Sequence, residues 1–188
     1  LLMTWLRVLG LVMALLAAGC SDEQADPSPP CDEECQDSTA ARALRETMKL
    51  VYNITLQGKP VGPQDETTPC PLGGQARVFG TASSNPKFGS TQVELTYELA
   101  ACHYLSRDDE PGENYDMTVT GTVSQSGTLA VQPTATTALV MQGAAVTLVG
   151  NVYDPPIDYA ADACAVELGQ SGNQLSGTLC GREFGVGL

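Results

Sequence analysis

Three things are scarce in this chain: histidine, with His103 alone, tryptophan, with Trp5 alone, and positive charge, with 9 Lys and Arg against 22 Asp and Glu. The one histidine sits between Cys102 and Tyr104 at the end of a strand-like run, so it reads as a strand-end residue beside a disulfide rather than as a catalytic base. The serine nucleophile elbow G-x-S-x-G is missing as well. Gly169-Gln170-Ser171-Gly172-Asn173 fails at its fifth position and falls in a turn. Aromatic residues make up only 5% of the chain, which argues against the stacking platforms of sugar-binding and glycan-cleaving clefts. The acidic balance repels phosphate backbones and anionic headgroups, so nucleic acid is excluded as a partner. No apolar run approaches the roughly 20 residues a membrane-spanning helix needs.

What is present begins with a short apolar run, Val8 to Ala18, preceded by a single cation, Arg7. Its length and layout are those of an export signal. The run closes on Leu16-Ala17-Ala18-Gly19-Cys20, where small residues leave the backbone open to a peptidase and a cysteine follows. This stretch resembles the lipobox of bacterial lipoproteins, although that family usually carries a larger aliphatic residue where Ala17 stands. The resemblance covers the first 20 residues and implies cleavage before Cys20, a diacylglyceryl thioether on its sulfur and acylation of the new amino terminus. Several acyl chains make a stable anchor where one would not. Ser21 after the cysteine implies sorting to the outer membrane of a Gram-negative cell. The resemblance gives an address and no activity.

The expected organisation is a signal peptide over 1–19, a flexible tether over 20–30 rich in Pro and polar residues, and one domain over 31–188. Without the signal the chain keeps 8 Lys and Arg against 22 Asp and Glu, a net charge of −14. Apart from Cys20, six cysteines remain in an exported chain: Cys31, Cys35, Cys70, Cys102, Cys164 and Cys180. An even number outside the cytosol reads as three disulfides. Only Cys31 and Cys35 are close enough to suggest a metal pair, which makes zinc a poor alternative. Cys164 and Cys180 are expected to pair across a hairpin, with a one-residue bulge reconciling their faces. Cys31 and Cys35 are expected to staple a helix to the sheet through Cys70 or Cys102 rather than bond each other.

One helix is predicted, beginning at Asp32 or Ser38, with Ala40, Leu44, Met48 and Val51 as its apolar stripe and Arg45 and Lys49 near its end. From about Lys49 the alternation of Leu50, Tyr52, Ile54 and Leu56 predicts a strand, and Lys59 to Gly74 reads as a proline-bearing loop. Beyond it, alternating runs such as Val93 to Leu99 and Tyr115 to Val123 predict half-buried strands. The fold class is mainly β: one helix, then an antiparallel meander of about 8–10 strands closing into a barrel or folding into a sandwich. Gly121, Gly150 and Gly177 mark expected bends.

No cofactor is expected. Two acidic loops are dense in hard oxygen ligands and could take calcium: Asp108, Asp109, Glu110, Glu113 and Asp116 in one, and Asp154, Asp158 and Asp162 in the other, neither with EF-hand spacing. The whole reads as a lipid-anchored cell-envelope protein acting as a binding or structural module, touching the membrane only through its acyl chains and meeting an envelope protein or surface ligand. The alternatives are an envelope-bound hydrolase using acidic residues and a calcium-dependent adhesion module.

Overall fold

The computed structural model describes residues 30–132 and 135–188, so the expected signal, Cys20 and all but the last residue of the tether lie outside the described residues. The first element is a helix, α1 (Glu33–Thr55), capped by Asp32, whose carboxylate accepts from the Cys35 backbone N–H at 3.0 Å. Eight strands follow: β1 (Gly62–Pro69), β2 (Gln75–Asn85), β3 (Ser90–Ser106), β4 (Tyr115–Ala130), β5 (Ala138–Val152), β6 (Ile157–Ser171), β7 (Gln174–Leu179) and β8 (Arg182–Gly187). They form one antiparallel sheet in chain order, each strand paired to the next. β1 and β8 do not pair with each other, so the meander closes into neither a barrel nor a two-sheet sandwich. It curls instead around α1, which packs against all eight strands.

Two corrections follow from that arrangement. The helix does not yield to a strand near Lys49 but continues to Thr55, about 34 Å in all at 1.5 Å per residue. Residues 50–56 satisfy both periods, and the helical one wins because it sends Val51 and Thr55 onto the sheet while Ile54 stays 54% exposed. Arg45 and Lys49 therefore lie mid-helix. The expected loop over Lys59 to Gly74 contains β1, a polar strand that tolerates Pro63 and Pro69 because it has a partner on one side only. The small residues at 38–41 are buried in succession, so this part of the helix is enclosed on every side. Buried Thr47 and Thr55 satisfy their hydroxyls on the carbonyls of Ala43 and Val51, one turn back, and so need no partner in the sheet.

The curl has local causes. In β3 the inward positions change from odd to even numbers between Leu99 and Cys102, around Ala101 at φ 50°; in β6 the same change occurs around Ala163 at φ 45°. β5 changes phase between Gly143 and Val146. Hydroxyls on the neighbouring strand cap the bulge amides, Thr120 for Ala101 and Thr147 for Ala163. Gly150 and Gly177, at φ 158° and 148°, admit close approach of the adjacent strand: a Cβ would lie 1.9 Å from the Asp116 carbonyl oxygen and 2.0 Å from that of Glu167.

Both long-range disulfides fasten a bulge to a neighbouring turn. Cys102, directly after Ala101, bonds Cys70, and Cys164, directly after Ala163, bonds Cys180. The Cys164–Cys180 pair agrees with the sequence expectation, but the β6–β7 pairing carries no bulge: Cys180 reaches Cys164 from the turn after β7, where its backbone turns at φ 54°. The third bond joins Cys31 to Cys35, contrary to expectation. Cys31 lies before the N-cap rather than inside the helix, and folding back over the first turn brings its Cα to 5.2 Å from that of Cys35.

On the outer face Arg77 bridges Asp65 and Glu98 and lies over the Phe79 ring, 4.6 Å from its centre. That hydrogen bond holds the Asp65 carboxyl below its ordinary value. Inside, burial raises the phenols of Tyr97, Tyr115 and Tyr159. A pKa raised by folding stabilises fully below the unfolded value of 10.0 and is lost as pH climbs towards the folded one. On the alkaline side, stability is expected to fall above about pH 10, with tyrosinate absorbance from these three appearing together with loss of the sheet's circular dichroism. Their titration as free phenols in an intact fold would contradict this.

Candidate functional site

Where α1 emerges from the sheet, three distant segments meet. The first is the start of the helix, with Asp32, Glu34 and Arg42; the second is the β3–β4 loop, with Glu110 and the 310 turn Pro111–Glu113; the third is β8 at Gly185 and Val186. Between them lies an open groove of about 460 Å³. Arg42 braces it: Nη1 pairs with Glu113 at 2.6 Å, Nη2 donates to the Gly187 carbonyl, and Thr39 Oγ1 donates to Gly112 O at 3.4 Å. Arg42 Nε is buried without a partner, while the side chain as a whole stays partly exposed at the groove wall. With Arg42 neutralised by Glu113, the carboxylates of Asp32, Glu34 and Glu110 leave the groove anionic.

A clamp of polar groups around one buried carboxylate fixes β8 beside the helix. Asp37, 1% exposed, accepts from the Tyr159 hydroxyl at 2.7 Å and from Arg182 Nε and Nη2 at 2.6 and 2.7 Å. The two-pronged Arg contact satisfies both carboxylate oxygens. Burial first, and then the bond to Asp37, raises the Tyr159 phenol, while the hydrogen bond to Asp37 raises the Arg182 guanidinium. Among the described residues, Asp37 is the one fully buried carboxylate, and both its oxygens are bonded by these partners.

The acidic loop expected to offer calcium ligands is ordered by a side-chain amide. Buried Asn114 accepts from the Asp108 N–H at 2.9 Å and donates to the carbonyls of Asp108 and Glu110 at 3.0 and 3.1 Å. Its carboxylates diverge: Glu113 turns to Arg42, Glu110 lines the groove, Asp108 accepts from the Glu110 N–H, and Asp116 lies on the strand face against His103, 2.5 Å from Nε2. Asp109 is exposed. Of the second expected loop, Asp158 and Asp162 lie on strand β6 instead, and Asp162 accepts from the Thr147 hydroxyl. Among the described residues no three His, Cys, Asp or Glu side chains gather as a metal site would need. His103 stands outside the groove, its backbone bonded to Leu72 and Gly73 of the turn that Cys70 pins. Arg42, Gly185 and the Asp37 clamp had no signal in the sequence that would have assembled them, since each is unremarkable within its own segment. No family model, curated protein or solved structure matches the chain.

Proposed function

We propose that this chain is a lipid-anchored binding module of a bacterial cell envelope, held through acyl chains on Cys20 at the outer membrane and presenting its folded domain to a partner there. The observation that carries the reading is the cysteine count. Six of the seven cysteines pair within the domain, which leaves Cys20, the residue at the end of the lipobox-like stretch, without an internal partner. An exported thiol with no disulfide partner is a liability unless it is modified. The filled interior favours a module over a hydrolase: α1 occupies the concave side of the sheet, and the buried carboxylate Asp37 is consumed by Arg182 and Tyr159.

The test is fractionation. Expressed with its signal in a Gram-negative host, the protein is expected in the membrane pellet and to be released by detergent. Cys20→Ser is expected to move at least about nine-tenths of it into the soluble fraction, because the acyl chains supply the anchoring free energy. A Cys20→Ser variant that still sediments with membranes would end the proposal.

A further inference from the structure

The two edges of the sheet are built differently. β1 carries Pro63 and Pro69 together with Asp65 and Glu66, the devices by which a strand edge resists pairing with another chain. β8 carries charge only at its start, in Arg182 and Glu183, and its second half, Gly185-Val186-Gly187, has neither proline nor charge. The Leu188 N–H donates to Asn173 O at 2.7 Å, and Val186 stands opposite Leu175. Alternation then turns the backbone of residues 182, 184, 186 and 188 to β7 and that of Glu183, Gly185 and Gly187 away from it. Arg42 takes the Gly187 carbonyl. The outward N–H and C=O groups of Gly185 face the groove, with Asp32, Glu34 and Glu110 on its far walls, and those of Glu183 continue the same edge.

We propose that this edge binds an extended cationic peptide segment of a partner protein, which adds to β8 as a ninth strand and sets Lys or Arg side chains against Asp32, Glu34 and Glu110. This rests on the binding-module reading and names the partner's chemistry. Strand addition explains the bare glycine edge, since backbone bonds supply affinity and alternate side chains supply specificity. Charge selects the occupant. A second copy of this chain pairing through β8 would bring two sets of groove carboxylates together, whereas a cationic segment neutralises one. Arg42 ends the available edge at Gly187, so the register is short, centred on Glu183 and Gly185.

The full-length protein in detergent is titrated against a fluorescent Lys-Val-Lys-Val-Lys peptide. Saturable binding is expected that weakens with added salt. It should be at least about tenfold weaker when Glu replaces Lys in the peptide or when its backbone is N-methylated. Gly185→Pro removes one outward N–H without touching the β7 ladder, and a Cβ at this position meets nothing within 4 Å. That variant should melt like the parent yet bind at least about tenfold more weakly, while Gly185→Ala stays within about twofold. Equal binding of the Glu peptide, equal loss in the Ala and Pro variants, or a concentration-dependent dimer abolished by Gly185→Pro would each overturn the proposal. Failure here with Cys20-dependent membrane partition intact rejects the peptide site alone; peptide binding by a protein whose Cys20→Ser variant still sediments rejects the anchor alone.

Discussion

Replacing Arg182 by alanine is expected to cost about 1 to 3 kcal/mol of stability, measured by denaturant unfolding with the disulfides intact, since the lost guanidinium is half exposed but bonds a buried carboxylate. The reason is what remains behind. Asp37 lies on the enclosed stretch of α1 at 1% exposure. With Arg182 gone it keeps a single donor, the Tyr159 hydroxyl. The charge, rather than the lost contacts, makes the substitution costly. A second variant separates the two: with Asp37→Asn added to Arg182→Ala the buried charge disappears, and the double variant is expected to be more stable than Arg182→Ala alone. Equal or lower stability of the double variant would mean that β8 depends on the geometry of the clamp rather than on its charge balance.

The second large effect concerns the helix as filler. Leu44 is fully buried in the middle of α1, and Leu44→Ala is expected to cost about 2 to 5 kcal/mol, because an open sheet wrapped round one helix has few ways to collapse into the void. Ile54→Ala, ten residues along the same element, should change stability by less than about 0.5 kcal/mol. This contrast tests the helix boundary directly. Were residues 50–56 a strand with Leu50, Tyr52, Ile54 and Leu56 inward, Ile54 would be a core residue and its truncation would be felt.

The sequence was most readable where one period acts alone. Val93 to Leu99 and Tyr115 to Val123 alternate without interruption, and both lie in strands whose inward faces are those read from the pattern. Reading became harder where two periods coincide, as at residues 50–56, and where an edge strand has no apolar face to show, as in β1. The eight strands fall within the expected number, although one of them reads in the sequence as two. Ala138 to Met141 and Val146 to Val152 look like separate runs because the bulge after Gly143 moves the inward set by one, yet they are one strand, β5. The cysteine expectations divide along the same line: Cys164 and Cys180 are joined through local hairpin geometry, while Cys31 depended on whether it lay inside or before the helix.

The groove was the least legible feature. Its acids were visible as a dense loop, but their partners were not. Glu113 meets Arg42 across 71 positions of sequence, and Gly185 reaches the same groove only because β8 is the last strand of a sheet that curls round the helix. Density of carboxylates suggested a cation, and the structure distributes those carboxylates among Arg42, His103 and the backbone. The feature that distinguishes this surface is the outward backbone of Gly185 on the last strand, which reaches the groove only through the fold.

The central claim is that six cysteines close the fold and the seventh carries the lipid. It is met most directly by mass spectrometry of peptides from the membrane-extracted protein, digested without reduction. The expected spectrum contains the pairs Cys31–Cys35, Cys70–Cys102 and Cys164–Cys180 and an amino-terminal peptide that starts at Cys20 and bears acyl chains. An unmodified Cys20, or Cys20 bonded to one of the other six, would contradict it.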